Sequence, residues 1–219
     1  MTSLLTPPDT VRTLADVLDR LGVGPERVRA SPSLGFATEK DLIEAVRADG
    51  RLYELVEGVL VEKTMGYRES CLAGAILELL RRFVIPQNLG LVSGEQGMMQ
   101  LFPGLVRGPD VAFSLWSRIP GGRLPRQPIP ALVPDLAVEV LSASNTQSEM
   151  ARKCREYFSA GSRMVWLVDP EERTVRVFTT FEQFTTLSEN DDLSGGDVLV
   201  GFVVPVREFF SELDRQESK

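Results

Sequence analysis

Histidine is absent from the 219-residue sequence, and this absence excludes more chemistry than any other. Ser-His-Asp and Cys-His nucleophile systems, HExxH zinc sites and imidazole acid–base catalysis all need the ring. Chemistry must come from carboxylates, amines, hydroxyls or a cofactor. Cysteine is scarce: Cys71 and Cys154 have neither metal-ligand spacing nor the numbers of a disulfide framework. That usage points to a reducing compartment, and a cytoplasmic protein is expected. No run approaches the ~20 apolar residues of a membrane helix, and the start, MTSLLTPPDTVRTLADVLDR, lacks a basic-then-apolar leader pattern, so no span and no targeting segment are expected. Positive charge is in deficit. The 24 Lys and Arg against 31 Asp and Glu leave a net charge of −7, which repels polyanions at long range and counts against a strong non-specific nucleic-acid binder.

What remains is ordinary for a folded domain. Hydrophobic residues make up 43% and charged residues 25%, so disorder and collagen-like repeats have no compositional support. The length favours one large core. Residues 1–37 read as a helical extension and connector, with an amphipathic helix near Val11 to Leu21 and a Gly/Pro/Ser-rich stretch to Gly35. The main domain is expected over 38–212, opening with a helix capped by Thr38 and Asp41 and closed by Gly50. A polar, frayed tail is expected over 213–219.

Within the domain, LYELVEGVLVEK predicts a β-hairpin turning at Glu57-Gly58. Leu72, Ile76, Leu79, Leu80 and Phe83 recur at helical spacing over Tyr67 to Phe83. MMQLFPGLVRGPDVAFSL predicts two strands around a Pro-Gly turn, followed by a long Pro/Gly/Arg loop from Arg118 to Pro130. PDLAVEVLS reads as a strand buried on both faces. A helix follows, opened by a Thr146-x-x-Glu149 capping box and stopped at Gly161, and then the strand pair RMVWLVDP and RTVRVFTT. The remaining C-terminal quarter reads as short β segments and turns. The order of these elements supports an α/β domain, of the α+β kind.

Two carboxylates stand out. Asp110 lies in the apolar run GPDVAF and Glu139 in the middle of LAVEVL. An ionised acid in a sheet interior is costly unless paired, so two in core-like strands suggest a shared cation or a hydrogen-bonded network. The plain alternative is an edge-strand acid facing solvent. A third acid comes from Glu54 in the hairpin or Glu69 in the first turn of the following helix; a cross-strand salt bridge and a helix-dipole role are their structural alternatives. Lys153 flanks the apolar stripe of the helix after Glu139 and can point back over that strand. Arg107, Arg118, Arg123 and Arg126 against Asp110 give the Phe102–Pro130 stretch a local excess of positive charge. Arg152, Lys153, Arg155 and Arg163 form a second cluster.

The run PDLAVEVLSASNT…MARKCREYFSAGSRMVWLVDPEERTVRVF, with YELVEGVLVE and RGPDVAF upstream, resembles the Uma family of restriction-endonuclease-like proteins over roughly Thr38 to Phe210. The resemblance implies a PD-(D/E)xK, restriction-endonuclease-like fold, a central mixed β-sheet flanked by helices, and a Mg²⁺ site, with Mn²⁺ as a substitute. It carries Asp110 and Glu139 onto the metal-binding acids. Leu141 stands where the motif lysine belongs, and Lys153 on the next helix takes that role. Glu54 matches the family's hairpin acid, and Glu69 the first-helix position of the wider superfamily. The function implied is a Mg²⁺-dependent DNA endonuclease, with Arg118, Arg123 and Arg126 as contacts to DNA phosphates and a homodimer as the simplest way to cut both strands. The alternatives are a non-catalytic nucleic-acid-binding or interaction module on the same fold, and a hydrolase of small phosphodiesters.

Overall fold

The structure, a computed structural model, describes residues 13–214. Val11, expected to open the first helix, and the tail after 214 lie outside the described residues. Helix α1 (Leu14–Leu21) and helix α2 (Glu39–Asp49) start in the same way: Thr13 with Asp16, and Thr38 with Asp41, form reciprocal capping boxes. Each ends at a left-handed glycine, Gly22 or Gly50, which satisfies a last-turn carbonyl without a Cβ clash.

Strands β1 (Tyr53–Val56) and β2 (Val59–Glu62) form the expected hairpin. Glu57 and Gly58 both have positive φ, as a tight turn matched to strand twist requires. Gly58 has a second reason to be glycine. A Cβ there would lie 2.3 Å from the carbonyl carbon of Gly35, where the connector donates its Gly35 and Ala37 amides to the Gly58 carbonyl.

Helix α3 (Tyr67–Val84) leads to β3 (Gly90–Gly94), β4 (Met99–Phe102), β5 (Leu105–Arg107) and β6 (Val111–Leu115). The run expected to hold two strands thus holds three. β4 and β5 pair around Pro103-Gly104, while β6 pairs with β3 and β7 (Leu136–Val140) in a different sheet. Helix α4 (Gln147–Ala160) then crosses over to β8 (Met164–Asp169), parallel to β7. β9 (Thr174–Phe178) and β10 (Phe184–Ser188) continue the sheet, and β11 (Asp192–Ser194), β12 (Val203–Pro205) and helix α5 (Arg207–Asp214) follow.

Two larger sheets result. The main one has the order β10-β9-β8-β7-β6-β3, and the smaller one is β2-β1-β5-β4. One face of the main sheet packs on α3, α5 and the β11–β12 pair through Ile76, Leu80, Phe113, Trp166, Phe202 and Phe209. Its other face packs on α4 through Ala112, Ala137, Met150, Cys154, Tyr157 and Leu167. The smaller sheet buries Leu55 and Leu60 against α2, and Val56, Val59 and Val61 against α1 and the connector. This is the mixed sheet flanked by helices that the family resemblance implies.

Two expectations need correction. The C-terminal part is not only short strands and turns: residues 213 and 214, expected in the tail, end helix α5, which buries Phe209 and Phe210. Val206, Phe209, Phe210 and Leu213 stand at i, i+3, i+4 and i+7 and pack on the core, so the helical spacing is present in the sequence. The capping box at α4 is only half made. Thr146 accepts the Glu149 amide, but the Glu149 carboxylate is taken by Arg27. Among the described residues no helix is long and apolar enough to cross a membrane.

Candidate active site

Strand pairing brings the two acids together. β6 and β7 run antiparallel with Val111 opposite Val138; continuing that register by one residue sets Asp110 against Glu139. Asp110 Oδ2 accepts the Val140 amide at 2.6 Å. Along β7 the side chains alternate, so Val138 and Val140 enter the core under α3 while Ala137 enters the layer under α4. Glu139 shares the face of Ala137. There its carboxylate accepts Lys153 Nζ at 3.0 Å and the Tyr157 hydroxyl at 2.6 Å, both from α4.

The third acid is Glu54 of β1. It accepts Arg107 at 2.6 Å and the Gly108 amide at 3.2 Å, and it lies 3.4 Å from Lys153 Nζ. Lys63, just past the end of β2, completes the group, with Nζ 2.7 Å from Asp110 Oδ1 and 2.6 Å from the Gly108 carbonyl. Glu54, Asp110, Glu139, Lys63, Arg107 and Lys153 are all buried. Three carboxylates therefore face three cations in one enclosed cluster, which is how buried charge is made tolerable.

Burial and neighbours set the protonation. Burial pushes the Glu54 carboxyl upward, but Lys153, Arg107 and Lys63 together outweigh it and hold the group at about 2. Glu139 is raised above the ordinary glutamate value by burial, with Asp110 and Glu54 adding repulsion that Lys153 and Lys63 do not fully offset. Lys153 is pulled down by burial, yet Glu139 and Glu54 carry it above the ordinary lysine value. It is an ammonium and a donor, not a neutral base. Tyr157 is raised well above its usual value by burial and by Glu139, so its hydroxyl stays a donor. Beside them the Cys154 thiol is pushed up to about 12 by burial, and both cysteines are free.

The donor set suits a hard divalent cation. Among the described residues no three His, Cys, Asp or Glu side chains, the three carboxylates of this cluster included, are placed to hold a metal ion together. Mg²⁺ does not need three, because it keeps most of its waters and is commonly held by one or two carboxylates. Asp110 and Glu139 offer two, and the charge of Asp110 adds to the upward push on Glu139.

The structure separates the other candidates. Glu69 is not brought into the cluster; it lies half-exposed in the first turn of α3 and lines a groove of about 740 Å³ with Leu141, Met150 and Cys154. Arg118 reaches the Gly161 carbonyl at 2.9 Å and lies 3.5 Å from Asp135. That is the opposite end of β7 from Glu139, roughly 13 Å away at strand rise. Arg123 and Arg126 are exposed. Two arginines counted as surface charge are not available. Arg107 is buried between Glu54 and Glu156, and Arg152 is held by Glu156 and Glu57.

The structure adds Lys63, Arg107 and Tyr157 to the site residues expected from the sequence, which do not include them. One signal did exist: Lys63 continues the alternation of Val59 and Val61, so the period of two already aims it at a covered face. The Arg107 and Tyr157 contacts have no local signature, since their partners lie 53 and 18 residues away.

Comparison with known proteins gives two results. The family model of Uma2, described as "Putative restriction endonuclease", matches residues 40–207. The fold is also similar to a crystal structure of "a putative nuclease belonging to DUF820" from Anabaena variabilis ATCC 29413, with a TM-score of 0.69, 22% identity, and coverage of 80% of this chain and 98% of that one. No curated protein matches.

Proposed function

The chain belongs to the Uma2 family, and from that premise we propose that it is a metal-dependent nuclease that hydrolyses phosphodiester bonds in DNA. The observation that carries this reading is the convergence of Glu54, Asp110 and Glu139 with the Lys153 ammonium at the paired ends of β6 and β7. Asp110 and Glu139 would hold the cation, Mg²⁺ or Mn²⁺. When bound, such a cation supplies positive charge against a phosphate and makes nearby water more acidic.

The chain's own groups do the positioning. Tyr157 and Lys153 donate to the two oxygens of Glu139, which fixes the plane of that carboxylate. Glu54 stays ionised and holds Lys153 from the other side, so the ammonium is oriented as well as charged. An ammonium so placed can donate to a phosphate oxygen as negative charge builds there. Arg107 and the Gly108 amide fix Glu54 in turn. Arg123 and Arg126, exposed on the loop, and Arg118 are the proposed phosphate contacts, and a symmetric dimer would present two such sites to duplex DNA.

A second reading is favoured by one specific observation. The acids and cations of the cluster compensate one another and are almost wholly buried, as suits a silent module whose charges serve the fold. The test is nicking of supercoiled plasmid in Mg²⁺ or Mn²⁺ by wild type, Asp110→Ala and Lys153→Ala. Under the nuclease reading wild type nicks and each variant loses about 10²-fold or more of the rate. Folded wild type with no activity on plasmid, single strands or small phosphodiesters supports the silent module.

A further inference from the structure

We propose that Lys63 occupies the cation place at Asp110 and must give it up for a divalent metal to bind, so that this lysine sets the metal affinity of the site. The inference rests on the reading of Asp110 as a metal ligand and adds a residue to it.

Both oxygens of Asp110 are already engaged. Oδ2 accepts the Val140 amide at 2.6 Å, and Oδ1 lies 2.7 Å from Lys63 Nζ. The same ammonium donates to the Gly108 carbonyl at 2.6 Å. A carboxylate and a carbonyl, both hard oxygens, are the donor types a divalent cation of this class selects. The two Asp110 oxygens are not equivalent as vacancies: the Val140 amide belongs to the β7 backbone, whereas Lys63 is a flexible side chain. A cation reaching Asp110 therefore takes Oδ1 from Lys63. Both cannot share it, because the Lys63 side chain is only 5% exposed and like charges at contact distance in a buried site repel strongly.

Lys153 is not equivalent. It has two acidic partners, Glu139 at 3.0 Å and Glu54 at 3.4 Å, so it keeps one when Glu139 turns to a metal. Asp110 is the only carboxylate within ion-pair distance of Lys63 among the described residues. Displacement costs Lys63 its one ion-pair contact and leaves it only the longer-range attraction of Glu54 and Glu139, and metal binding bears that cost.

The test is calorimetric titration of Mn²⁺ alone into the full chain for wild type, Lys63→Gln, Lys63→Met and Asp110→Asn, with circular dichroism on each. Gln keeps a donor for the Gly108 carbonyl and so protects the fold; Met removes both charge and donor. The expected result is Mn²⁺ binding about tenfold or more tighter in Lys63→Gln than in wild type, with loss of binding in Asp110→Asn. The Mn²⁺-induced rise in Tm should likewise be larger for Lys63→Gln, a readout that needs no activity. If Lys63→Gln is folded and binds Mn²⁺ no more tightly than wild type while Asp110→Asn loses it, Lys63 is not the competitor and the metal reading stands. If none of the proteins binds Mn²⁺, both fall.

Discussion

Glu54 is the residue on which most of the cluster's charge converges. It faces Arg107, Lys153 and the Gly108 amide at once. Removing its charge leaves two cations short of a buried partner, and breaking a buried pair in this way costs about 3–5 kcal/mol. Glu54→Gln is expected to lose stability by about that amount near neutral pH, read from urea unfolding. The pH dependence has a definite sign. An unfolded glutamate titrates near 4.5 and folded Glu54 at about 2, so the unfolded chain binds the extra proton between those values. Its stabilisation is whole above 4.5 and is lost as pH falls toward 2. Glu139, raised rather than lowered, acts in the opposite sense, its contribution fading as pH rises through its own pKa. The gap between wild type and Glu54→Gln should therefore narrow between pH 4.5 and about 2, and a gap constant over that range would contradict the ion pairing described here.

Helix α4 carries two of the groups on Glu139, and its placement depends on a contact from outside the family match. Arg27 is 4% exposed. It forms two parallel 2.8 Å bonds to Glu149 in the first turn of α4 and donates through Nε to the Glu62 carbonyl at 2.9 Å, one residue before Lys63. A single guanidinium thus joins the elements that bear both site lysines. A second tie runs from Arg152 of α4 to the Arg20 carbonyl at the end of α1. Arg27→Ala is expected to cost about 3–5 kcal/mol because Glu149 is left buried and unpaired. Arg27→Met combined with Glu149→Leu should recover most of that loss, which a double-mutant cycle measures directly. Additive losses would mean that the pair does not couple the extension to α4.

Across the whole molecule, one core layer is closed by the last described helix. Trp166 of β8 stacks against Phe202 at 6.1 Å and meets Phe209 of α5 at 5.9 Å. Arg173 lies over the ring of Phe210 at 5.2 Å and pairs with Asp214 at 2.8 Å. Phe209 and Phe210 have no exposed surface. Phe209→Ala should lower stability by about 3–5 kcal/mol through lost burial and the cavity left behind. Thermal unfolding followed at Trp166 and at the helical signal checks this, and a loss below 1 kcal/mol would place α5 outside the cooperative core. The buried cluster pairs three carboxylates with three cations, so the net charge of −7 is carried by the rest of the molecule.

Much was legible in the sequence because it is a property of near neighbours. The helix start at Thr38, the Glu57-Gly58 turn, the crossover from β7 through α4 to β8, and the placement of Asp110 and Glu139 inside apolar strands all follow from spacing over a few residues. The absence of histidine confines the chemistry to carboxylates, amines, hydroxyls or a cofactor. Tertiary structure alone decided which charges meet. It selected Glu54 over Glu69, because β1 lies beside the Arg107 strand whereas the first turn of α3 opens onto a groove. It aimed Lys63 at Asp110 and turned Arg107 inward. Local pattern can say that a side chain faces a covered side, but the identity of what covers it depends on strand order between segments far apart in the chain. A buried charge is settled by that partner and by nothing in its own neighbourhood.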